Sequence, residues 1–367
     1  MLSITDPIDG AILNRNMGRR RRGGLEIAIA GQAPRDALVA VAAVGIDAEG
    51  RALSPVVRAE SRTRGPRFSC RIVLRHHRTM VSAACAGESH DVTVLWDRNS
   101  FKRYRFSTDD NCRFLAEITR DRPDSIFDHP YMALWRDMHE KYGTRVHHNL
   151  FFEHNGFDLT RMPDSYRDEW QANADWLRLT FHSRANEPRN PYIDASAEQI
   201  VTDFDLVTRE IERFAGPELL SPFTTIHWGE ATLEACRALR ERGIVGFVGY
   251  FIFRDHDPAV CYYLDADMTR YMNAHDYWYD TREDIFFVKH DMVVNNVEPQ
   301  DVVPGLQPLA ADPNQAELFE LMIHEPQFYP GWTGYRPDYR QRVETAIRWA
   351  TENGYKSVFY EEGLLGA

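Results

Sequence analysis

Up to about residue 100 the chain alternates apolar and polar positions in short runs: Leu25, Ile27 and Ile29; Val39 and Val41; Phe68, Cys70 and Ile72; Val92 and Val94. Gly31-Gln-Ala-Pro34, Glu49-Gly-Arg51, Arg64-Gly-Pro66 and Ala86-Gly-Glu88 separate these runs and supply turns. A period of two puts every second side chain on one face, so residues 1–100 are predicted to form a small all-β sandwich of the immunoglobulin-like kind. Beyond residue 100 the period changes. Tyr104 to Thr108, Arg145 to Phe152, Phe223 to Ile226, Ile244 to Val248, Leu318 to Ile323 and Tyr355 to Phe359 read as strands. Between them Ala197 to Phe214 carries Ile200, Phe204, Val207 and Ile211 at helical spacing, and Ala231 to Arg242 and Asp338 to Asn353 are helices stopped by Gly243 and Gly354. Strand and helix in alternation predict an α/β domain over residues 101–367. Its parallel sheet is covered by helices and closed, or nearly closed, into a barrel.

A length of 367 residues suits two domains of this size. With 43 Lys and Arg against 55 Asp and Glu, the formal charge of -12 argues against general affinity for nucleic acid or anionic membrane. The basic run Arg19 to Arg22 precedes Gly23-Gly24 and reads as a solvated hairpin loop. No stretch is apolar enough to span a bilayer, and the first residues lack a secretory pattern, so the expected location is the cytoplasm. Cys70, Cys85, Cys112, Cys236 and Cys261 are scattered without Cys-x-x-Cys spacing and are expected to be reduced, mostly buried thiols.

Candidate chemistry gathers at the ends of the strand-like runs. Asp109-Asp110 closes the first, His182 follows Trp176 to Phe181, His227 follows Phe223 to Ile226, and His324 closes the run from Leu318. In an extended strand neighbouring side chains point to opposite faces, so one carboxylate of the pair can hold a metal while the other takes a proton from water. An acid pair at a strand end is also what a helix cap followed by a first-turn acid produces. His147, His148 and His154 carry no partner motif and read as structural, with His148 a minor candidate for a pocket wall. Glu153, Glu187 and His290 are further possible members.

Phe106-Ser-Thr-Asp-Asp-Asn111 resembles the opening Asp-Asp motif of the polysaccharide deacetylases, carbohydrate esterase family 4, and the resemblance covers about the last two-thirds of the chain. It implies a distorted (β/α) barrel in which Asp109 is the base and Asp110 a ligand to a divalent ion, zinc first, with cobalt, nickel or manganese as alternatives. Phe181-His-Ser-Arg-Ala-Asn186 matches the first two positions of the family's His-Ser/Thr-x-x-His motif, with Asn186 where the second histidine belongs. Thr225-Ile-His-Trp-Gly229 looks like the Arg-x-Pro-Tyr-Gly segment. His227 is thus available either as the third ligand beside His182 or in the arginine's role of orienting the base. Leu321-Met-Ile-His324 corresponds to the last motif, whose histidine protonates the leaving group, and Glu325 follows it. Trp228, Tyr250, Tyr329 and Trp332 offer flat apolar faces for a sugar ring.

The activity this resemblance implies is removal of an acyl group, acetyl first, from an amino sugar or acetylated oligosaccharide. Two readings from other classes stand beside it. One is a metal-free glycan-cleaving enzyme pairing Asp109 or Asp110 with Glu187, although adjacent acids alone are poorly spaced for that work. The other is a glycan-binding protein on a degenerate barrel, suggested by the missing histidine at Asn186.

Overall fold

A computed structural model describes residues 1–47, 49–253 and 260–362. The chain forms two units: one contains Met1–Phe101 together with Tyr277–Asp284, the other Lys102–Asp276 and Ile285–Glu362.

The first unit is all β. Gly24–Gln32 is flanked by Ser3–Asp6 and by Arg67–Leu74, both antiparallel to it. In a second sheet the order is Ile12–Leu13, Glu88–Trp96, Arg78–Cys85, Leu38–Ile46, Ala52–Arg62. The alternation read from the sequence is the burial pattern here: Leu25, Ile27, Ile29, Val39, Val41, Phe68, Ile72, Val92 and Val94 are buried, while Cys70 is half-buried. The run of arginines differs from expectation, because Arg19–Arg21 is a strand, fully exposed and paired with Gly24–Glu26 at the sheet edge. Charged residues on an edge strand discourage pairing with another chain.

In the second unit the parallel strands that bear on the site are β1 (Arg103–Asn111), β2 (Val146–Phe151), β3 (Leu177–Ser183), β4 (Phe223–Thr224), β5 (Gly246–Gly249), β6 (Ile285–Lys289), β7 (Met292–Val293) and β8 (Leu318–His324), with the short Lys356–Ser357 also parallel to β1. Their ladders form two arcs, β3-β2-β1-β8-β7 and β4-β5-β6. Among the described residues no ladder joins the two arcs into a closed barrel: at that edge β3 meets the other arc through an isolated Leu179–Leu220 bridge and hydrogen bonds from Thr224 Oγ1 to the Phe181 carbonyl and from His182 Nδ1 to the Thr225 carbonyl. Two-residue strands such as β4 and β7 are too short to carry a continuous ladder.

Helices lie between the strands where the apolar spacing placed them. Ser196 caps α2 (Ala197–Phe214) by accepting from the Gln199 N–H at 3.1 Å, and Ile200, Phe204, Val207 and Ile211 are all buried. Thr232 caps α3 (Leu233–Glu241) in the same way, which starts that helix two residues later than its apolar pattern suggested. The remaining helices that bear on the site are α1 (Arg113–Asp121), which directly follows β1, and α4 (Tyr339–Glu352). Cys112 gives α1 no side-chain cap. Instead Glu325, just past β8, accepts from the N–H groups of Cys112, Arg113 and Phe114 at 2.7, 3.1 and 2.6 Å. Burial pushes Glu325 up to about 7 against the pull of those donors. All five cysteines remain thiols, three of them buried.

His148 is fully buried, its Nδ1 2.7 Å from Thr108 Oγ1 and its ring packed among Phe114, Tyr131 and Trp135. It therefore packs under the helices and does not line the pocket wall. Burial lowers its pKa to about 3 from 6.5. Below about pH 6.5 the unfolded chain takes up a proton that the folded imidazole refuses, so the contribution to stability is complete above that pH and is lost as pH falls. Between pH 6.5 and 5 this amounts to about 2 kcal/mol, and His148→Gln should flatten that part of the stability profile in urea titrations.

Candidate metal centre

The acid pair sits in a β-bulge. Thr108 pairs with His148 and Asn111 with Leu150, so β1 uses three steps where β2 uses two. Asp110 takes up the extra residue in the left-handed region, with φ of 63°. A bulge re-aims a side chain, and aspartate is among the few residues that tolerate this conformation. Both Asp109 and Asp110 consequently line one cavity of about 450 Å³, which corrects the expectation that strand alternation sends them to opposite faces.

His182, at the end of β3, is fixed by its backbone neighbour. Its Nδ1 hydrogen donates to the Thr225 carbonyl, leaving the Nε2 lone pair to face Asp110 Oδ1 at 3.2 Å. His227 brings Nδ1 to 3.3 Å from the same oxygen and to 3.1 Å from His182 Nε2. Phe151 meets the His227 ring edge-on at a centroid distance of 4.9 Å, and His227 Nε2 has no hydrogen-bond partner among the described residues. Burial alone raises the Asp110 pKa, but the two imidazoles outweigh it and hold the carboxyl well below the usual range. Burial lowers that of His182, yet the charges of Asp109 and Asp110 raise it overall, whereas burial dominates at His227 and lowers it.

Three electron-pair donors thus form a triangle with edges of 3.1 to 3.3 Å. A proton can bridge only one edge of such a triangle, whereas a cation above it engages all three. Tetrahedral ligands at about 2.0–2.1 Å from zinc stand about 3.3–3.4 Å apart, so Asp110, His182 and His227 fit a divalent ion. Asn186, at the position of the family's second histidine, lines the cavity but is not part of this cluster.

The proton-transfer candidates are held by two amides that the sequence pattern did not bring out. Asn149 Nδ2 donates to Asp109 Oδ1 at 2.6 Å. Asn295 Oδ1 accepts from both the backbone N–H and Nδ1 of His324, each at 3.0 Å, which leaves Nε2 as the working nitrogen. Asp109 and His324 are register partners in the neighbouring strands β1 and β8, and both line the cavity. Asn295 stands two residues past the short apolar strand β7, in the turn Val294–Asn296.

Trp228 and Tyr250 line this cavity, and the Arg189 guanidinium lies 4.9 Å over the Trp228 ring. Tyr329 and Trp332 are not among its lining residues; they flank the Arg113 guanidinium at 5.7 and 4.8 Å, and the Tyr329 hydroxyl donates to Glu325. His147 is buried under the strands and held neutral by burial and nearby arginines. Glu153, His154 and Glu187 line a separate cavity of about 400 Å³ that shares Asn186 with the first. Glu187 therefore stands outside the cavity that holds Asp109 and Asp110, which weakens the metal-free carboxylate pair.

No model of a known protein family matches the chain, and no curated protein matches its sequence. Among solved structures the chain is similar to Agd3, described as a novel carbohydrate deacetylase, at 9% identity and a TM-score of 0.37, over 97% of this chain and 73% of that one. It is also similar to a β-glucuronidase from glycoside hydrolase family 2, at 7% identity and a TM-score of 0.17, over 88% and 37% of the two chains. Likenesses this distant leave the chemistry to be argued from the site itself. Among the described residues no helix is long and apolar enough to cross a membrane.

Proposed function

We propose that this chain is a metal-dependent hydrolase that removes an acyl group, acetyl first, from an amino sugar or acetylated oligosaccharide. The observation that carries the proposal is the triangle of Asp110 Oδ1, His182 Nε2 and His227 Nδ1, three lone pairs converging with one carboxylate charge. These residues would hold a divalent ion, which supplies Lewis acidity to acidify water and polarise an acyl carbonyl. Asp109 takes the proton of the attacking water on the oxygen that Asn149 leaves unengaged. The water oxygen bonds to the acyl carbon and the bond to the sugar nitrogen or oxygen breaks. His324, oriented by Asn295, delivers a proton from Nε2 to that departing atom. Trp228 and Tyr250 form the sugar-facing wall. The two strand arcs are an opened form of a (β/α) barrel, and the first unit an immunoglobulin-like companion.

An acetate-release assay on acetylated oligosaccharides, with and without chelator, tests the reading. Release should stop on chelation, return with added zinc, cobalt, nickel or manganese, and be lost in His182→Ala. Release that ignores the chelator and survives His182→Ala overturns the metal mechanism.

A further inference from the structure

His290 follows β6 and is pinned there by its backbone N–H, which donates to the Gly249 carbonyl at 2.7 Å. It lines the same cavity as Asp109, His182 and His324, yet the mechanism above gives it no task. Its side chain is 2% exposed, and neither ring nitrogen has a hydrogen-bond partner among the described residues. The nearest charged acceptor, Glu320 Oε1, lies 3.8 Å from Nδ1, beyond hydrogen-bond range. Glu320 is already served without it: Ser107 Oγ donates to Oε1 at 2.7 Å, the Tyr360 hydroxyl donates to Oε2, and Arg105 stands 3.4 Å away. An imidazole buried in a cavity wall with both nitrogens unpaired is unfavourable unless a ligand completes it.

We infer that His290 binds the substrate directly, its unprotonated ring nitrogen accepting a hydrogen bond from a ring hydroxyl of the sugar. The inference rests on the deacylase reading and gives it a specificity contact. A neutral imidazole carries a proton on one ring nitrogen and a lone pair on the other, so one of the two unpartnered nitrogens is an acceptor. Burial keeps the ring uncharged at neutral pH by pushing its pKa down to about 4. A neutral acceptor suits a hydroxyl, and it leaves the charge of Asp109 undisturbed.

Binding of the N-acetylglucosamine trisaccharide to full-length Asp109→Asn protein, with and without His290→Phe, tests this by calorimetry. Loss of one buried hydrogen bond should raise Kd about ten-fold. KM for the trisaccharide should rise by the same factor in His290→Phe alone. Hydrolysis of 4-nitrophenyl acetate, which has no hydroxyl, should change less than about two-fold, with bound metal unaltered. His290→Gln, which keeps an acceptor in place, should recover much of the affinity and stands in should the phenylalanine variant not fold. An unchanged Kd in both variants, equal losses on both substrates, or no trisaccharide binding by the Asp109→Asn protein would each overturn the inference. Affinity that depends on His290 in a protein releasing no acetate would uphold this contact and defeat the hydrolase reading.

Discussion

Asp110→Asn should yield a folded protein that no longer retains a divalent ion and has lost roughly three orders of magnitude in hydrolysis, the scale of several kcal/mol of charge stabilisation. Asparagine tolerates the left-handed backbone at φ 63° at least as well as aspartate, so the bulge and the strand register survive the change. What disappears is the only formal charge in the three-donor triangle, leaving two imidazoles to hold a cation. Metal content of the purified variant, read beside its thermal midpoint, separates loss of the ion from loss of the fold. Near-stoichiometric metal in Asp110→Asn would remove this residue from the ligand set.

Asp109→Asn is expected to act differently, lowering kcat by about 10² to 10⁴ while metal content stays unchanged. The amide oxygen still accepts from Asn149, so the side chain keeps its place and only the ability to take a proton is removed. KM should move little, because Asp109 is assigned no share in holding the sugar. Equal loss of metal and of activity in this variant would mean that both acids serve the ion and that the proton goes elsewhere.

Much of this arrangement was legible in the chain because parallel strands deliver their C-terminal residues to a common end, and Asp109, Asp110, His182, His227 and His324 all follow apolar runs. The backbone that gathers these residues was not. A left-handed aspartate leaves no trace in hydrophobic periodicity, so strand alternation predicted opposed carboxylates where the bulge gathers them. Asn149 lies inside a strand and Asn295 in a short turn, and neither residue type is distinctive until a partner is known. The helix Pro299–Ala311 was hidden by Pro304 and Pro308, which a sequence reading takes as breaks. Glu325 looked like an appendage to the last motif, whereas it is the missing cap of a helix more than two hundred residues earlier.

The pairing of Asp109 with His324 across adjacent parallel strands acts as a fixed ruler. Neighbouring strands stand about 4.8 Å apart whatever their sequence, so the span from the proposed proton taker to the proposed proton giver is set by peptide hydrogen bonding, with no loop free to stretch it. Variants selected for bulkier sugars should accordingly accumulate changes around Trp228 and Tyr250, while the two strand ends stay as they are.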